Sequence, residues 1–361
     1  MSLQIKPFSF KKMPVETRFE VLRFCAAILI ALALTLVIIL LVSKEPGRAI
    51  HSLFLGPLSS PRRFANVIEL AVTLTFAGLA VSVMFSANQF NMGAEGSFYA
   101  SAAVAAIAAI VLPLPPVLLP VVAIILGAAA GAIVCVTPAV LKGKWGASEL
   151  VSSLMLNYAF FYIAKYFIFA KLRDPSAGSL ASFPVPAAAK LMNIVRGTRI
   201  HAGLFIVIAA VILTTVFIRR TVWGYALIQT GRSPKFAAYS GINTQAVLYY
   251  SQIIGGALAG TGGAVEMLGL YDRFTWQSLP GYGFDGIIVS ILAKNKPQFV
   301  PIAAFLLAYL RIGADRMSTS SDVTSEMISI IQGIIIMLVA AQAFMAGRRQ
   351  KMLLKEVAAN A

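Results

Sequence analysis

Long apolar runs, separated by short polar stretches, organise this chain. The first spans Phe24 to Val42 and follows 23 mixed, basic residues carrying Lys6, Lys11, Lys12, Arg18 and Arg23. It is too long for the apolar core of a signal peptide and lacks a clean small-residue cleavage site, so it reads as a retained membrane span. Nine further candidate spans follow, at about 66–86, 97–112, 116–141, 151–170, 202–218, 246–270, 284–293, 299–314 and 326–346. The stretch 284–293 is too short to cross ~30 Å of hydrocarbon unaided and reads as a short or broken helix inside a bundle. The expected fold is therefore all-α: a polytopic membrane protein of about ten transmembrane helices, one or two of them short or broken. In this reading residues 1–23 are a basic cytoplasmic segment, 24–346 the transmembrane domain and 347–361 a basic cytoplasmic tail.

Composition agrees with this pattern. Of 361 residues, 59% are hydrophobic and only 12% charged, which excludes an ordinary soluble enzyme, a disordered chain and a small secreted scaffold. The formal net charge is +16. In a soluble protein that excess would point to nucleic acid, but here it reports Lys and Arg in membrane loops, and no nucleic-acid partner is expected. With the N-terminus inside, the inner segments hold 17 Lys and Arg and the outer ones 11, which favours both termini on the cytoplasmic face. The Pro-, Ala- and Ser-rich loop at about 171–201 reads as an extracytoplasmic cap. Cys25 and Cys135 sit in apolar runs, and His51 and His201 are far apart, so neither a disulfide framework nor a metal site is expected.

Within the spans, small and polar residues stand out. Gly127 and Gly131 form one GxxxG, and Gly256 and Gly260 another, beside Gly255, Gly262 and Gly263. They serve either close helix packing or a shift of the glycine-rich helix against its neighbours. Ionisable groups in membrane spans are costly, so Glu69, Glu95, Glu266 and Asp285 call for a reason. The stretch from Phe85 to Gly96 carries Asn88, Gln89 and Asn91 with Gly93 and Gly96. It reads either as an unwound or re-entrant piece opening a new helix near Ser97, or as a turn capped by Asn91 and Glu95. Asn157, amid an apolar span, serves either a neighbouring helix or a solute. Phe284 and Asp285 could place an aromatic face and a carboxylate beside a cavity, or belong to an outward turn. The loop at about 219–244 is basic, with a short helix expected near 234–239, and suits either docking to a soluble partner or fixing topology.

No GxxxxGK[ST] stretch is present, so the chain is not expected to hydrolyse ATP itself, and no HExxH, GxSxG or nucleophile–base set supports an enzyme. An ion-coupled secondary transporter is the rival from a different class. It would use Glu69, Glu95 or Glu266 with Lys165 or Arg311.

Four segments carry a resemblance. Phe90-Asn91-Met92-Gly93-Ala94-Glu95-Gly96-Ser97 is similar to FNIGAEGQ. Glu149 to Tyr158 is similar to the end of NEVVSTLMLNY, Gly281 to Pro297 is similar to GYGFDGIAVALLGRNNP, and Gly224 to Asn243 is similar to an ATPase-coupling loop. Together, over about 60–345, they resemble the permease subunits of bacterial ABC importers in the branched-chain amino acid, sugar and nucleoside permease family, and most of all its nucleoside (basic membrane protein-associated) permeases. The chain departs from those patterns at Ser97 for Gln, Ser148 for Asn and Ala293-Lys294 for Gly-Arg.

The resemblance implies a multi-pass permease of the bacterial inner membrane with no cofactor of its own, ATP being hydrolysed by a partner subunit. It also implies a second, homologous permease forming a heterodimer, an extracytoplasmic solute-binding lipoprotein, and contact with membrane lipids. On the same basis Asn91, Gly93, Glu95 and Gly96 would line the solute pathway, with Asn157 and Asp285 near it. Asn88 and Phe284 join them as pathway candidates from the residue reading, and Gly231, Arg232, Lys235, Ala237, Ala238 and Gly241 would meet the ATPase. The expected function is inward nucleoside transport by alternating access, with a simple-sugar or branched-chain amino acid permease as the alternative.

Overall fold

A computed structural model describes residues 45–321, apart from residue 196, and the isolated positions 37, 40 and 333. The first and tenth expected spans and both terminal segments lie outside the described residues. Each of the eight spans between them is a helix. In chain order the helices are α1 (Pro46–Leu55), α2 (Pro61–Ser86), α3 (Ala94–Val111), α4 (Leu118–Trp145), α5 (Glu149–Lys171), α6 (Gly203–Arg220), α7 (Val222–Arg232), α8 (Pro234–Tyr239), α9 (Thr244–Leu270), α10 (Tyr282–Leu292) and α11 (Val300–Ser320). Among the described residues there is no strand, only two isolated bridges. Seven helices are long and apolar enough to cross a membrane: α2, α3, α4, α5, α6, α9 and α11 with the turn before it. The protein is a multi-pass membrane protein. At about 1.5 Å per residue, the 11 residues of α10 reach roughly 16 Å, half the hydrocarbon thickness.

The chain divides into two compact units, residues 57–312 and residues 1–56 with 313–361. In the second, Ser320 Oγ donates to Ser52 Oγ at 2.8 Å, and an added Cβ on Gly313 would overlap the Leu53 carbonyl.

In the first unit, α2, α3 and α9 form the centre. Nearly every residue of α2 from Ala71 to Met84 is buried, and α3 is buried along most of its length because its neighbours meet small side chains at Ala102, Ala103, Ala105 and Ala106. The two GxxxG stretches face each other where α4 crosses α9. An added Cβ on Gly260 would lie 2.6 Å from the Gly127 carbonyl, and one on Gly256 2.7 Å from Cys135 Cβ. The backbones therefore touch, as small residues permit in lipid, and close packing is the role these glycines serve. Helices α5 and α6 lie at the edge and bury a single stripe each, Ser153, Asn157, Phe161, Ala164 and Ile168 in the case of α5.

Local signals set the boundaries. Ser60, Thr221, Ser233 and Asn243 cap the starts of α2, α7, α8 and α9 with side-chain oxygens, and Gly146 ends α4 in the left-handed region at φ 67°. The loop 172–202 is tied to the α9–α10 linker by backbone bonds from Ser182 to Phe274 and Val185 to Asp272, and to the end of α9 by one from Leu191 to Leu268. An ion pair joins Asp174 to Arg273. Hydrogen bonds from Ser176, with Arg273 beside it, hold the Asp174 carboxyl down at about 2.

Candidate functional site: a buried polar junction and an exposed loop

Between Ser86 and Ala94 the chain is not helical, yet it is mostly inside. Ala87 and Asn91 are fully buried, and only Asn88 and Phe90 are well exposed. Asn88 supplies the reversal, with φ 56°, a conformation that Asn tolerates better than most residues. This stretch is thus a buried, unwound link, and α3 opens three residues earlier than the sequence reading places it, at Ala94 rather than Ser97.

Buried backbone without helical bonds must find partners elsewhere. Asn91 supplies several: its amide donates to the Cys135 carbonyl at 2.8 Å and to Gln252 Oε1 at 2.7 Å, and its Oδ1 accepts from Gly93 N at 2.6 Å. Asn157 clamps the other side, donating to the Met92 carbonyl and accepting from Gly96 N, both at 3.0 Å. Ser153 Oγ accepts from Met92 N at 3.1 Å. Gly96 has no side chain because Asn157 fills the space: an added Cβ would lie 2.9 Å from the Asn157 Cα.

The network runs on through Gln252, whose amide donates to Glu149 Oε1 at 3.1 Å, to Lys142, whose Nζ lies 2.8 Å from Glu149 Oε2. Lys142 also donates to Gln89 Oε1 at 2.5 Å. One chain of hydrogen bonds therefore joins the ends of α4, α5 and the unwound link to the middle of α9.

Glu95 points the other way. Its Oε1 accepts from Gly281 N at 2.6 Å and its Oε2 from Gly283 N at 2.7 Å. These are orphan donors at the start of α10, so the carboxylate of α3 caps a different helix, with favourable sign against its dipole. Gly281, at φ 86°, makes the turn, and Gly283 lies so close to the Glu95 backbone that an added Cβ would overlap it. Asp285 pairs with Arg311, and Phe284 is 42% exposed. A second buried group forms where Glu266 accepts from Thr73 and, at 3.1 Å, from Tyr282.

The candidate pathway residues thus fall into three groups. Asn91, Gly93, Gly96 and Asn157 sit together in one junction; Glu95 and Asp285 lie on the two sides of the α10 start; Asn88 and Phe284 are exposed. Gln252, Lys142, Glu149 and Ser153 complete the junction and were not singled out from sequence. Gln252 carries one available signal, an amide within an apolar run, and Glu149 and Ser153 lie in the segment similar to NEVVSTLMLNY.

The basic loop is two helices, α7 and α8. Arg232, Lys235, Ala238 and Gly241 are exposed, with Phe236 and Tyr239 beside them. Ala237 is buried, and Gly231 turns inward, where an added Cβ would overlap the Ser86 carbonyl at the end of α2. Gly241 takes φ 80° in open space.

Residues 63–340 match the family described as branched-chain amino acid transport system / permease component. The chain belongs to this family: it is a permease component of an ABC importer, a transport subunit that works with an ATPase partner. It is 30% identical over 331 residues to a glucose ABC transporter permease protein, TsgB13, of Haloferax volcanii, covering 88% of this chain and 86% of that one. It is 28% identical to the guanosine ABC transporter permease protein NupP of Bacillus subtilis, covering 90% and 95%. To the nucleoside ABC transporter permease protein NupB of Lactococcus lactis it is 27% identical, covering 88% and 89%.

Proposed function

We propose that this chain carries nucleosides inward across the bacterial inner membrane by alternating access, driven by ATP hydrolysis in the partner subunit. A second, homologous permease completes the passage, and an extracytoplasmic lipoprotein delivers the solute. The unwound link and the α10 start form the frame beside which the solute passes, and α7–α8 receive the ATPase.

The observation that carries this reading is the surface of α7–α8. Tyr239 is 92% exposed and Phe236 60%, and Arg232 and Lys235, just before them in the chain, are exposed as well. Exposed aromatics with flanking cations on short helices suit a protein partner. The same element touches the end of α2 through Gly231, where the unwound link begins.

The nucleoside assignment draws on the stretch 90–97 and on the guanosine and nucleoside relatives. A simple sugar is the second reading, favoured by the glucose-named relative. Uptake of labelled guanosine by cells carrying the complete transporter, with and without this chain, separates them. Uptake that needs the chain and ATP, and that unlabelled nucleosides block while glucose and leucine do not, is the expected result. Block by glucose alone overturns the nucleoside assignment, and uptake without the ATPase overturns the importer mechanism.

A further inference from the structure

The outer face of α5 gathers its exposed tyrosines on one side. At about 100° per residue, Tyr158, Tyr162 and Tyr166 lie within roughly 80° of one another, on one flank of the exposed arc, with Val151 and Met155 in the same arc toward the start of the helix. Ile163 and Phe167 lie on the other flank. All three tyrosines are about 60% exposed, and their hydroxyls have no hydrogen-bond partner among the described residues. Rings contact Tyr162 and Tyr166 only from neighbours on the same helix, Phe161 and Phe167.

Depth makes this arrangement informative. The midpoint of α5 is residue 160, so Tyr158 and Tyr162 lie about 3 Å either side of it along the axis. Tyrosines that serve as lipid anchors sit at the two membrane surfaces, where the hydroxyl meets water. A phenol at the middle of the hydrocarbon has no such partner, and an unbonded hydroxyl there is costly. Lys165 lies on the tyrosine flank and donates to the Gln277 carbonyl at 3.2 Å, with its Nζ 5.1 Å from the centre of the Phe161 ring. A lysine in a span likewise belongs beside protein or water rather than lipid.

We infer that the tyrosine flank of α5 lines the water-filled solute passage, and that Tyr158, Tyr162 and Tyr166 form a ladder of contacts for a polar, ring-shaped solute. Phenyl faces stack on a planar base, and the phenol hydroxyls exchange bonds with ribose and ring nitrogens as the solute moves from one rung to the next. The flank with Ile163 and Phe167 faces lipid. The ring's identity as a nucleoside base rests on the function proposed above; the lining itself does not.

The test is cysteine accessibility in the assembled transporter, in membrane vesicles, using a charged, membrane-impermeant methanethiosulfonate. Tyr158→Cys, Tyr162→Cys and Tyr166→Cys are compared with Ile163→Cys and Phe167→Cys, and the parent chain, with Cys25 and Cys135, gives the background. Labelling of the tyrosine-flank cysteines several-fold faster than of the other two, slowed by guanosine, is the expected result. Equal rates on both flanks, or no labelling of the tyrosine flank, overturn the lining. Disulfides forming between two copies at the tyrosine positions overturn it too, because they show a dry contact between chains. Flank-specific labelling slowed by glucose and not by guanosine keeps the lining and removes the nucleoside. Hydroxyl-radical footprinting of the unmutated complex gives the same readout without substitution: Tyr158 and Tyr162 are modified and Phe167 is spared.

Discussion

Glu95→Ala isolates the role of the carboxylate that joins α3 to α10. Two backbone N–H groups, of Gly281 and Gly283, lose their acceptor in a site where Glu95 itself is fully buried. Each buried donor left without a partner costs about 1–3 kcal/mol, and the lost charge at the start of a helix adds about 0.3–2 kcal/mol. The expected total is about 4 kcal/mol. Glu95→Gln retains one carbonyl oxygen but sets its amide donor against a backbone donor, so about half that loss is expected. Thermal unfolding of the purified complex, followed by a thiol-reactive or intrinsic fluorescence probe, reads the difference. At about 2 °C per kcal/mol, Glu95→Ala lowers the midpoint by roughly 8 °C and Glu95→Gln by roughly 4 °C. Transport falls in the same order. A midpoint within about 1 °C of the parent, together with abolished uptake, refutes the reasoning: Glu95 would then act on the solute rather than on α10.

Three more outcomes follow from the packing and charges described. Gly131→Ala forces a methyl to 2.5 Å from Ser97 Oγ and 2.7 Å from Gly260 Cα, so thermal stability drops by about 1–3 kcal/mol, whereas Gly47→Ala, with open space around it, does not lower it. Lys142→Met leaves Glu149 buried without its cation and is expected to cost up to about 3 kcal/mol, and the double variant with Glu149→Gln recovers most of the loss; a double variant no better than Lys142→Met refutes the pairing. Burial lowers the His201 pKa from its ordinary 6.5, so the stability it contributes is present above about pH 6.5 and is lost as the pH falls through that value toward the lowered one. His201→Asn, which can still accept from Gly203 N, should flatten the pH dependence of the unfolding midpoint between about pH 7.5 and about pH 5.

Apolar run length alone located all eight central helices, because a bilayer fixes how long such a run must be. Boundaries were harder where polar residues extend a helix beyond its apolar part, as at Pro61 in α2 and Glu149 in α5. The unwound link was visible as amides and glycines in an apolar setting, but that pattern left a solvated turn equally open. What decided between them was tertiary: Asn91 bonds to residues 44 and 161 positions away. Glu95 shows the same limit. Sequence marked it as solute contact or cap of its own helix, and no local pattern connects it to Gly281 and Gly283, 186 and 188 residues distant. The sequence presents the candidates for ATPase contact as one surface, yet Gly231 and Ala237 turn inward. Alternation within a short helix hides this until its neighbours are known.

The meeting of Gly231 with the Ser86 carbonyl places main chain directly against main chain. No rotatable side chain lies between the two helices there, so a push on α7 has nothing soft to compress. Any displacement of α7 would therefore meet the end of α2 directly, with no rotamer change between them. A single methyl at position 231 would act as a permanent shim, holding the two helix ends apart by its own thickness.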